Sequence, residues 1–276
     1  MNNNEFTLVI EAGKTEKHYW LDLWRYRELF YFLAWRDILV RYKQTVVGIA
    51  WSVLRPLLTM IIFTIVFGQI AKLPSNGVPY AIFVYSAMLP WQFFSNSLSE
   101  SSNSLIGNAN LISKVYFPRI IIPASSIIVA LVDFLISFVL FALIMFWYNY
   151  TPSINILAVP FFLLLSFLAS MGFGLWLCAL TVEFRDFKYI IPFIVQFGLY
   201  ISPVGFGSDI VPEKWRLLYS INPMAGIIDG FRWAISGNSC PLNAGYFLIS
   251  VIVTFIIFLS GIWYFRKTEM TFADII

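Results

Sequence analysis

Six long apolar runs constrain this chain more than any other feature of its sequence. They cover residues 46–71, 80–98, 120–148, 154–179, 189–206 and 246–265. A helix that crosses the hydrocarbon core of a bilayer needs about 20 apolar residues, and each run meets or approaches that length. Only 12% of the 276 residues are charged, whereas soluble domains carry about 25%. We therefore predict a single-domain, all-α polytopic membrane protein with six transmembrane helices.

The distribution of lysine and arginine predicts how these spans are oriented. If both termini are cytoplasmic, 14 of the 18 basic residues lie on the inner side of the membrane. The other four are Lys72, Lys214, Arg216 and Arg232. Cytoplasmic loops of membrane proteins carry the excess of positive charge, so the inverted orientation is rejected.

A seventh apolar stretch, residues 217–235, is interrupted by polar and helix-breaking residues, including Asn222, Pro223, Asp229 and Arg232. Seven spans would place 13 basic residues inside and five outside, so charge hardly separates the two topologies. A lipid-facing span would have to desolvate two charges and a broken backbone. We therefore predict that residues 207–237 form a re-entrant helical hairpin that dips into the outer leaflet and packs against protein.

The segment before the first run predicts a helix along the membrane surface over residues 20–45, called the interface helix here. Trp20, Trp24, Tyr31 and Trp35 recur on one helical face, and basic residues cluster on the opposite face. Such a helix lies at the lipid headgroups with its rings toward the bilayer. It is either a plain anchor or a lever that transmits force from a cytosolic subunit, and the pattern leaves both readings open.

Residue patterns typical of catalysis or metal binding are absent from the sequence. A single histidine, His18, excludes histidine-rich metal sites. The two cysteines, Cys178 and Cys240, show no metal-binding spacing. The segment Gly13–Thr15 ends like a phosphate-binding loop but lacks its first glycine. We predict no catalytic residue, metal or cofactor in this chain, and no nucleic-acid partner.

Charge within the predicted spans is sparse. Asp133 lies well inside a run, whereas Arg55 and Glu100 lie near helix ends. Ion-coupled transporters need relays of ionisable groups in the membrane, which counts against a secondary transporter. For Asp133 we favour a single interhelical hydrogen bond over a transport role, and Arg55 is expected to extend to the interface.

Three short polar segments face the cytoplasm in this topology: residues 99–119, 183–188 and 266–276. In the first, Asn108 or Asn110 is expected to cap a short helix over residues 111–117, which Pro118 ends. Helices that offer rings and basic groups just below the membrane suit docking into a cleft on another protein. Ordinary inter-span loops would also have this composition.

Aromatic residues make up 19% of the chain and are not confined to the membrane interfaces. Their ring faces are apolar yet polarised, so they can stack on the C–H faces of sugars without the desolvation of charged groups. A ring-lined path without charges would suit a passing glycan. Filling of a helix bundle explains any single ring equally well.

Three stretches resemble the ABC-2 type permeases that export O-antigen, capsule or teichoic acid polysaccharides. They are Trp35–Thr45 followed by Gly48–Trp51, the segment Asn108–Arg119 (the coupling segment), and Ile221–Met224 with its Asn-Pro pair. The likeness follows nearly the whole chain in order. It implies a homodimer in the bacterial inner membrane, paired with two ATPase subunits that bind ATP and Mg²⁺, which moves a lipid-linked glycan outward. An ABC-2 exporter of a small molecule or drug is the alternative.

The resemblance also implies a task for individual residues. Those expected to contact the ATPase are Arg36, Asp37, Arg41, Lys114, Tyr116, Phe117, Arg119, Glu183 and Arg185. Those expected near the substrate, on the first and fifth spans, are Trp51, Phe63, Phe67, Phe193, Phe197 and Tyr200. The pair Asn222 and Pro223 marks the re-entrant hairpin.

Overall fold

The computed structural model describes residues 19–43 and 46–272, and the side chains from residue 53 onward in the second range. His18, the segment Gly13–Thr15 and the side chain of Trp51 lie outside the described part. Within it, the chain consists of helices joined by short turns, with no β-strand. The all-α prediction is therefore confirmed for these residues.

Eleven α-helices follow one another in the described residues. They are α1 Tyr19–Arg25, α2 Arg27–Tyr42, α3 Val46–Phe63, α4 Tyr80–Gly107, α5 Ala109–Ile112, α6 Ile121–Trp147, α7 Val159–Glu183, α8 Phe187–Ile201, α9 Glu213–Tyr219, α10 Pro223–Ser236 and α11 Ala244–Thr268. The first continues into α2 after one residue, α3 extends as a π-helix over Thr64–Ile70, and α7 is preceded by a 3₁₀ turn over Ile154–Ala158. Two more 3₁₀ turns used below are Ser208–Ile210 and Glu269–Thr271.

Among the described residues, four helices are long and apolar enough to cross a bilayer: α3 with its π-helical extension, α6, α7 with its 3₁₀ turn, and α11. The other two predicted spans are also helical. However, α4 has 28 residues and carries seven serines, and α8 has only 15 residues, or about 22 Å of helix. Six spans and cytoplasmic termini therefore stay a prediction.

Two predicted boundaries are wrong. The run 189–206 ends as a helix at Ile201, because Pro203 disfavours the helical conformation of Ser202, whose ψ of 152° is extended. The short helix predicted before Pro118 covers Ala109–Ile112 rather than residues 111–117. Its Asn108 makes no side-chain cap, because the amide nitrogen donates back to the carbonyl of Ser104 in α4 at 2.8 Å.

The core is built around α4, which packs against α6, α7 and α10, while α11 packs on α7. The last contact is a close crossing of backbones at Gly172. A Cβ atom added to Gly172 would lie 2.8 Å from the carbonyl carbon of Ile257 in α11. Small residues at such crossings let membrane helices approach closely, which strengthens their packing.

The stretch 217–235 forms two short helices, α9 and α10, of seven and 14 residues. Neither is long enough to span a bilayer. The side chain of Asn222 accepts a hydrogen bond from the backbone N–H of Met224 at 3.0 Å, and Pro223 takes the first helical position, so the Asn-Pro pair starts α10. Most of α10 is buried against other helices, whereas α9 buries none of its side chains, so the predicted packing against protein holds for α10. Its entry into the membrane stays a prediction.

The buried charge of the hairpin is Arg232, whose exposed fraction is 2%. Its guanidinium donates hydrogen bonds to the carbonyls of Phe83, Phe206 and Val204, at 3.3, 2.8 and 3.0 Å, and covers the ring of Phe83 at 3.7 Å. A buried charge is tolerated when its donors are satisfied in this way. Arg232 thereby holds α10 against the start of α4 and the segment after α8.

Candidate functional site

A cavity of about 620 Å³ lies between α3, α4, α6 and α8. Its lining includes Arg55, Gln92, Asn96 and Gln196, together with several serines and apolar side chains. Polar side chains at membrane depth are tolerated where they line a cavity rather than face lipid. Arg55 is exposed there and makes no ion pair with the described residues. The cavity therefore offers a cation and three amides to a ligand.

A charged cluster closes one side of this cavity. Arg41, near the end of α2, lies 2.7 Å from a carboxylate oxygen of Asp133 in α6 and 3.0 Å from Glu100 in α4. The hydroxyl of Tyr42 donates a hydrogen bond to Asp133. Burial, together with this hydrogen bond, raises the pKa of the Tyr42 phenol, so the phenol remains a donor. The predicted interhelical bond of Asp133 is confirmed, and it joins the interface helix to two long helices.

The interface helix is also bonded to the coupling segment. The guanidinium of Arg36 donates to the side-chain oxygen of Asn108 at 2.9 Å and pairs with Asp37 at 2.7 Å. Asn108 follows the last residue of α4 and begins the coupling segment. Arg36 and Arg41, which were both predicted to contact an ATPase, thus make contacts within the chain: one with the coupling segment and one with the spans.

A third cluster joins the two ends of the described chain. The hydroxyl of Tyr19 donates to the Glu269 carboxylate at 3.0 Å, and the backbone N–H of Arg119 donates to the same carboxylate at 2.6 Å. The Arg119 side chain donates to the backbone carbonyl of Glu269, and Arg266 lies 4.3 Å above the ring of Tyr19. Burial and the neighbouring carboxylate raise the pKa of the Tyr19 phenol. The sequence analysis missed this cluster because its members are up to 250 residues apart and share no local pattern.

Other candidate ATPase contacts differ in exposure. Lys114, Tyr116, Glu183 and Arg185 are exposed. Phe117, by contrast, is 3% exposed and belongs to the chain's own core. The Phe117 ring is therefore not available on the surface where the other four side chains are exposed.

The candidate substrate-path residues fall into two groups. Phe193, Phe197 and Tyr200 form an exposed stripe along α8, with exposed fractions of 50 to 61%. The ring centroids of Phe193 and Phe197 lie 4.1 Å apart, and the ring planes are tilted by 37°. Phe63 and Phe67 contact edge to face at 5.2 Å near the end of α3 and are partly buried. A side chain at Gly205 would meet Phe67 at 2.9 Å, so this second pair packs on the segment after α8.

These features first define a class of protein: an α-helical membrane protein with a polar cavity between its long helices. Its interface helix is hydrogen-bonded to the coupling segment. Residues 28–236 match the ABC-2 type transporter family, and the chain belongs to that family.

Similar proteins carry related names. The chain is 30% identical to the O-antigen export system permease protein RfbA of Klebsiella pneumoniae, over 90% of this chain and 95% of that protein. It is 26% identical to the protein of the same name from Myxococcus xanthus, over 76% and 81%. It is also 23% identical to the polysialic acid transport protein KpsM of Escherichia coli, over 85% and 91%.

Proposed function

We propose that the chain is the transmembrane permease subunit of an ATP-binding-cassette exporter in the bacterial inner membrane. It moves a lipid-linked polysaccharide of the O-antigen class from the cytoplasmic to the outer side. The observation that carries this proposal is the polar cavity with Arg55 between α3, α4, α6 and α8, in a chain of the ABC-2 family. The names of the similar export permeases support the polysaccharide as cargo.

The cavity suits the charged head of a lipid-linked cargo. Arg55 supplies a fixed positive charge, and Gln92, Asn96 and Gln196 supply amide donors. A guanidinium binds the oxygens of a phosphate in a planar, two-point geometry. A lipid diphosphate therefore fits this lining better than a neutral apolar drug, which would leave these donors unpaired.

A second copy of the chain would complete the path for the glycan. Of the described side chains, α8 buries only Ile191, and α3 buries only Pro56 and Met60. Their remaining faces are large and apolar, and pairing of two copies would cover them. In this homodimer the stripe of Phe193, Phe197 and Tyr200 faces the shared centre, where rings let a sugar chain slide.

Two copies of an ATPase subunit would dock on the exposed residues Lys114, Tyr116, Glu183 and Arg185. Movement of the coupling segment would reach the interface helix through the bond between Arg36 and Asn108. It would then reach α4 and α6 through Arg41, at the wall of the cavity. The interface helix is in this view a lever as well as an anchor.

Proteoliposomes that contain the permease and its ATPase test this function. Lipid-linked glycan is placed on the ATP-accessible side, and its appearance on the other side is followed with a glycan-cleaving enzyme. We expect ATP-dependent transfer that falls at least about tenfold in Arg55→Gln, in line with the loss of one charge-assisted contact. Arg25→Gln on the exposed side of α1 is the matched control and should transfer glycan normally. Transfer of a drug-like dye but not of the glycan would favour the small-molecule exporter.

A further inference from the structure

A second cavity, of about 370 Å³, lies far from the coupling segment. It is enclosed by the α9–α10 hairpin, the turn Ser208–Ile210 and the start of α11. We propose that this cavity is a carbohydrate subsite that binds one or two sugar units of the glycan after it has crossed the membrane. The inference rests on the proposed function, because the glycan reaches this end of the chain only if it is exported.

The cavity contains a carboxylate with unused acceptor capacity, because Ser208 alone among the described side chains donates a hydrogen bond to it. Asp229 of α10 lines it and forms no ion pair with any described residue. The guanidinium nearest along the helix belongs to Arg232, whose hydrogen bonds go to three backbone carbonyls. An ionised carboxylate accepts strong, charge-assisted hydrogen bonds from hydroxyl groups. Asp229 can therefore accept hydrogen bonds from two neighbouring hydroxyls of one sugar ring.

Arg216 and Asn243 also line the cavity, and each offers a hydrogen-bond donor that is held in a fixed position. Arg216 uses Nε and one terminal nitrogen to bind the carbonyls of Val211 and Asp209, at 2.9 and 3.0 Å, and its other terminal nitrogen makes no hydrogen bond to the described residues. The oxygen of the Asn243 side chain accepts hydrogen bonds from the backbone N–H groups of Gly245 and Tyr246 at the start of α11, so its NH₂ group remains a donor. Side chains held by such bonds lose little freedom when they bind a ligand.

Ring faces complete the lining. Tyr219, Tyr246 and Phe247 contribute aromatic surface to the cavity. The hydroxyl of Tyr219 donates to the carbonyl of Ile201 at 2.9 Å, which fixes the position of its ring. A site with acceptors, donors and ring faces matches a sugar, whose hydroxyls both donate and accept and whose C–H faces stack on rings.

Other ligand classes fit this lining less well. A divalent cation needs several oxygen ligands, yet the described residues contain no group of three metal-binding side chains, and Arg216 would repel the ion. An apolar molecule would cover Asp229 and the remaining terminal nitrogen of Arg216 without forming hydrogen bonds to them, which costs binding energy. The volume lies at the lower end of the range for small-ligand sites. A short piece of glycan is therefore the ligand class that can pair with the acceptor, the donors and the ring faces of this cavity.

The charge of Asp229 depends on its surroundings. Burial raises its pKa to about 6, and Arg232 on the same helix opposes that shift. The other groups that act on it are Asp209 on the preceding turn, which raises the pKa, and Ser208, which lowers it. Tyr219 and Arg216 on α9, Cys240 after α10 and Tyr246 on α11 also surround it. Burial raises the pKa of the Tyr219 phenol and of the Cys240 thiol, so both of these groups are neutral near pH 7. Asp229 is therefore mostly ionised at pH 7.5 and mostly neutral at pH 5.

Binding is tested on the purified complex of permease and ATPase in detergent. The probes are the methyl glycosides of mannose, galactose, rhamnose and N-acetylglucosamine, measured by saturation-transfer NMR. We expect transfer to at least one probe, reduced about tenfold or more in Asp229→Asn and in Tyr246→Ala, since each removes one type of contact. Leu248→Ala is the matched control: it lies on the same exposed part of α11 but does not line the cavity.

The outcomes separate this inference from the proposed function. No transfer to any of the four probes, or equal transfer in wild type, Asp229→Asn and Tyr246→Ala, overturns the subsite. If the wild-type complex still exports glycan in proteoliposomes, the proposed function stands without it. If the wild-type complex exports no glycan while the sugar probes bind as expected, the proposed function fails and the cavity remains a sugar site with another role.

Discussion

Replacing Arg41 with methionine tests whether the interface helix is held by its charged cluster. The change removes the guanidinium that lies 2.7 Å from Asp133 and 3.0 Å from Glu100 but keeps most of the side-chain volume. Removing one partner of a buried ion pair costs about 3–5 kcal/mol, whereas exposed pairs contribute about 0–1 kcal/mol. The side chain of Asp133 is 8% exposed and that of Arg41 is 34% exposed. We therefore expect an intermediate loss of about 1–3 kcal/mol.

The loss is measured as the shift in the thermal midpoint of the purified complex, followed by fluorescence-detected size exclusion. A double-mutant cycle with Asp133→Asn isolates the pair, and the double variant should recover part of the loss because no buried charge remains at position 133. Arg25→Met is the matched control, because its pair with Asp22 is at 3.8 Å and its side chain is 65% exposed. If Arg41→Met is as harmless as Arg25→Met, the cluster does not hold the helix.

The same variants test the proposed lever. If Arg41 transmits movement to the cavity, the complex of Arg41→Met with the ATPase should assemble and hydrolyse ATP but export less glycan per ATP. Lysine at this position keeps a positive charge and should restore part of the ratio. An unchanged ratio of export to hydrolysis in Arg41→Met would refute the lever and leave only an anchor.

Three further outcomes are expected. Gly172→Ala should lower the thermal midpoint by the equivalent of about 1–3 kcal/mol, because its Cβ would meet the α11 backbone at 2.8 Å and overpack the crossing; an unchanged midpoint would mean that the helices separate freely. Lys114→Glu should weaken co-purification of the ATPase, whereas Lys214→Glu in α9 should leave it intact; equal retention by both would exclude Lys114 from the docking surface. Sugar binding should fall as the pH is lowered through about 6, because Asp229 then takes up a proton and loses acceptor capacity. Asp229→Asn should remove this pH dependence. A pH dependence that persists in the variant would mean that another group titrates.

The sequence predicted the long helices well because lipid imposes a simple rule on them. Every backbone polar group must be satisfied within its own segment, so a long apolar run in a membrane becomes a helix. The same physics separated the stretch 217–235 from a span, because Arg232 and Asp229 could not face lipid. Which acceptors would satisfy Arg232 was not predictable, since Phe83 lies 149 residues away and contributes only a backbone carbonyl.

The candidate site was harder to predict because it depends on which way side chains point. The resemblance to ABC-2 permeases implied that both Tyr116 and Phe117 lie on a docking surface, but Phe117 is buried while Tyr116 is 42% exposed. Neighbouring residues in a non-helical segment point in different directions, and no periodicity reveals which one faces inward. The partners of Glu269 were hidden for a similar reason, because Tyr19 and Arg119 reach it only through the fold.

The central claim is that this chain supplies the membrane path while a separate subunit supplies the energy. Its most direct test is ATP hydrolysis by the purified permease alone, by the ATPase alone, and by the two together in the same membrane, with glycan transfer recorded in parallel. The account predicts no hydrolysis and no transfer by the permease alone, and transfer only when both subunits and ATP are present. Hydrolysis or transfer by the permease alone would contradict it.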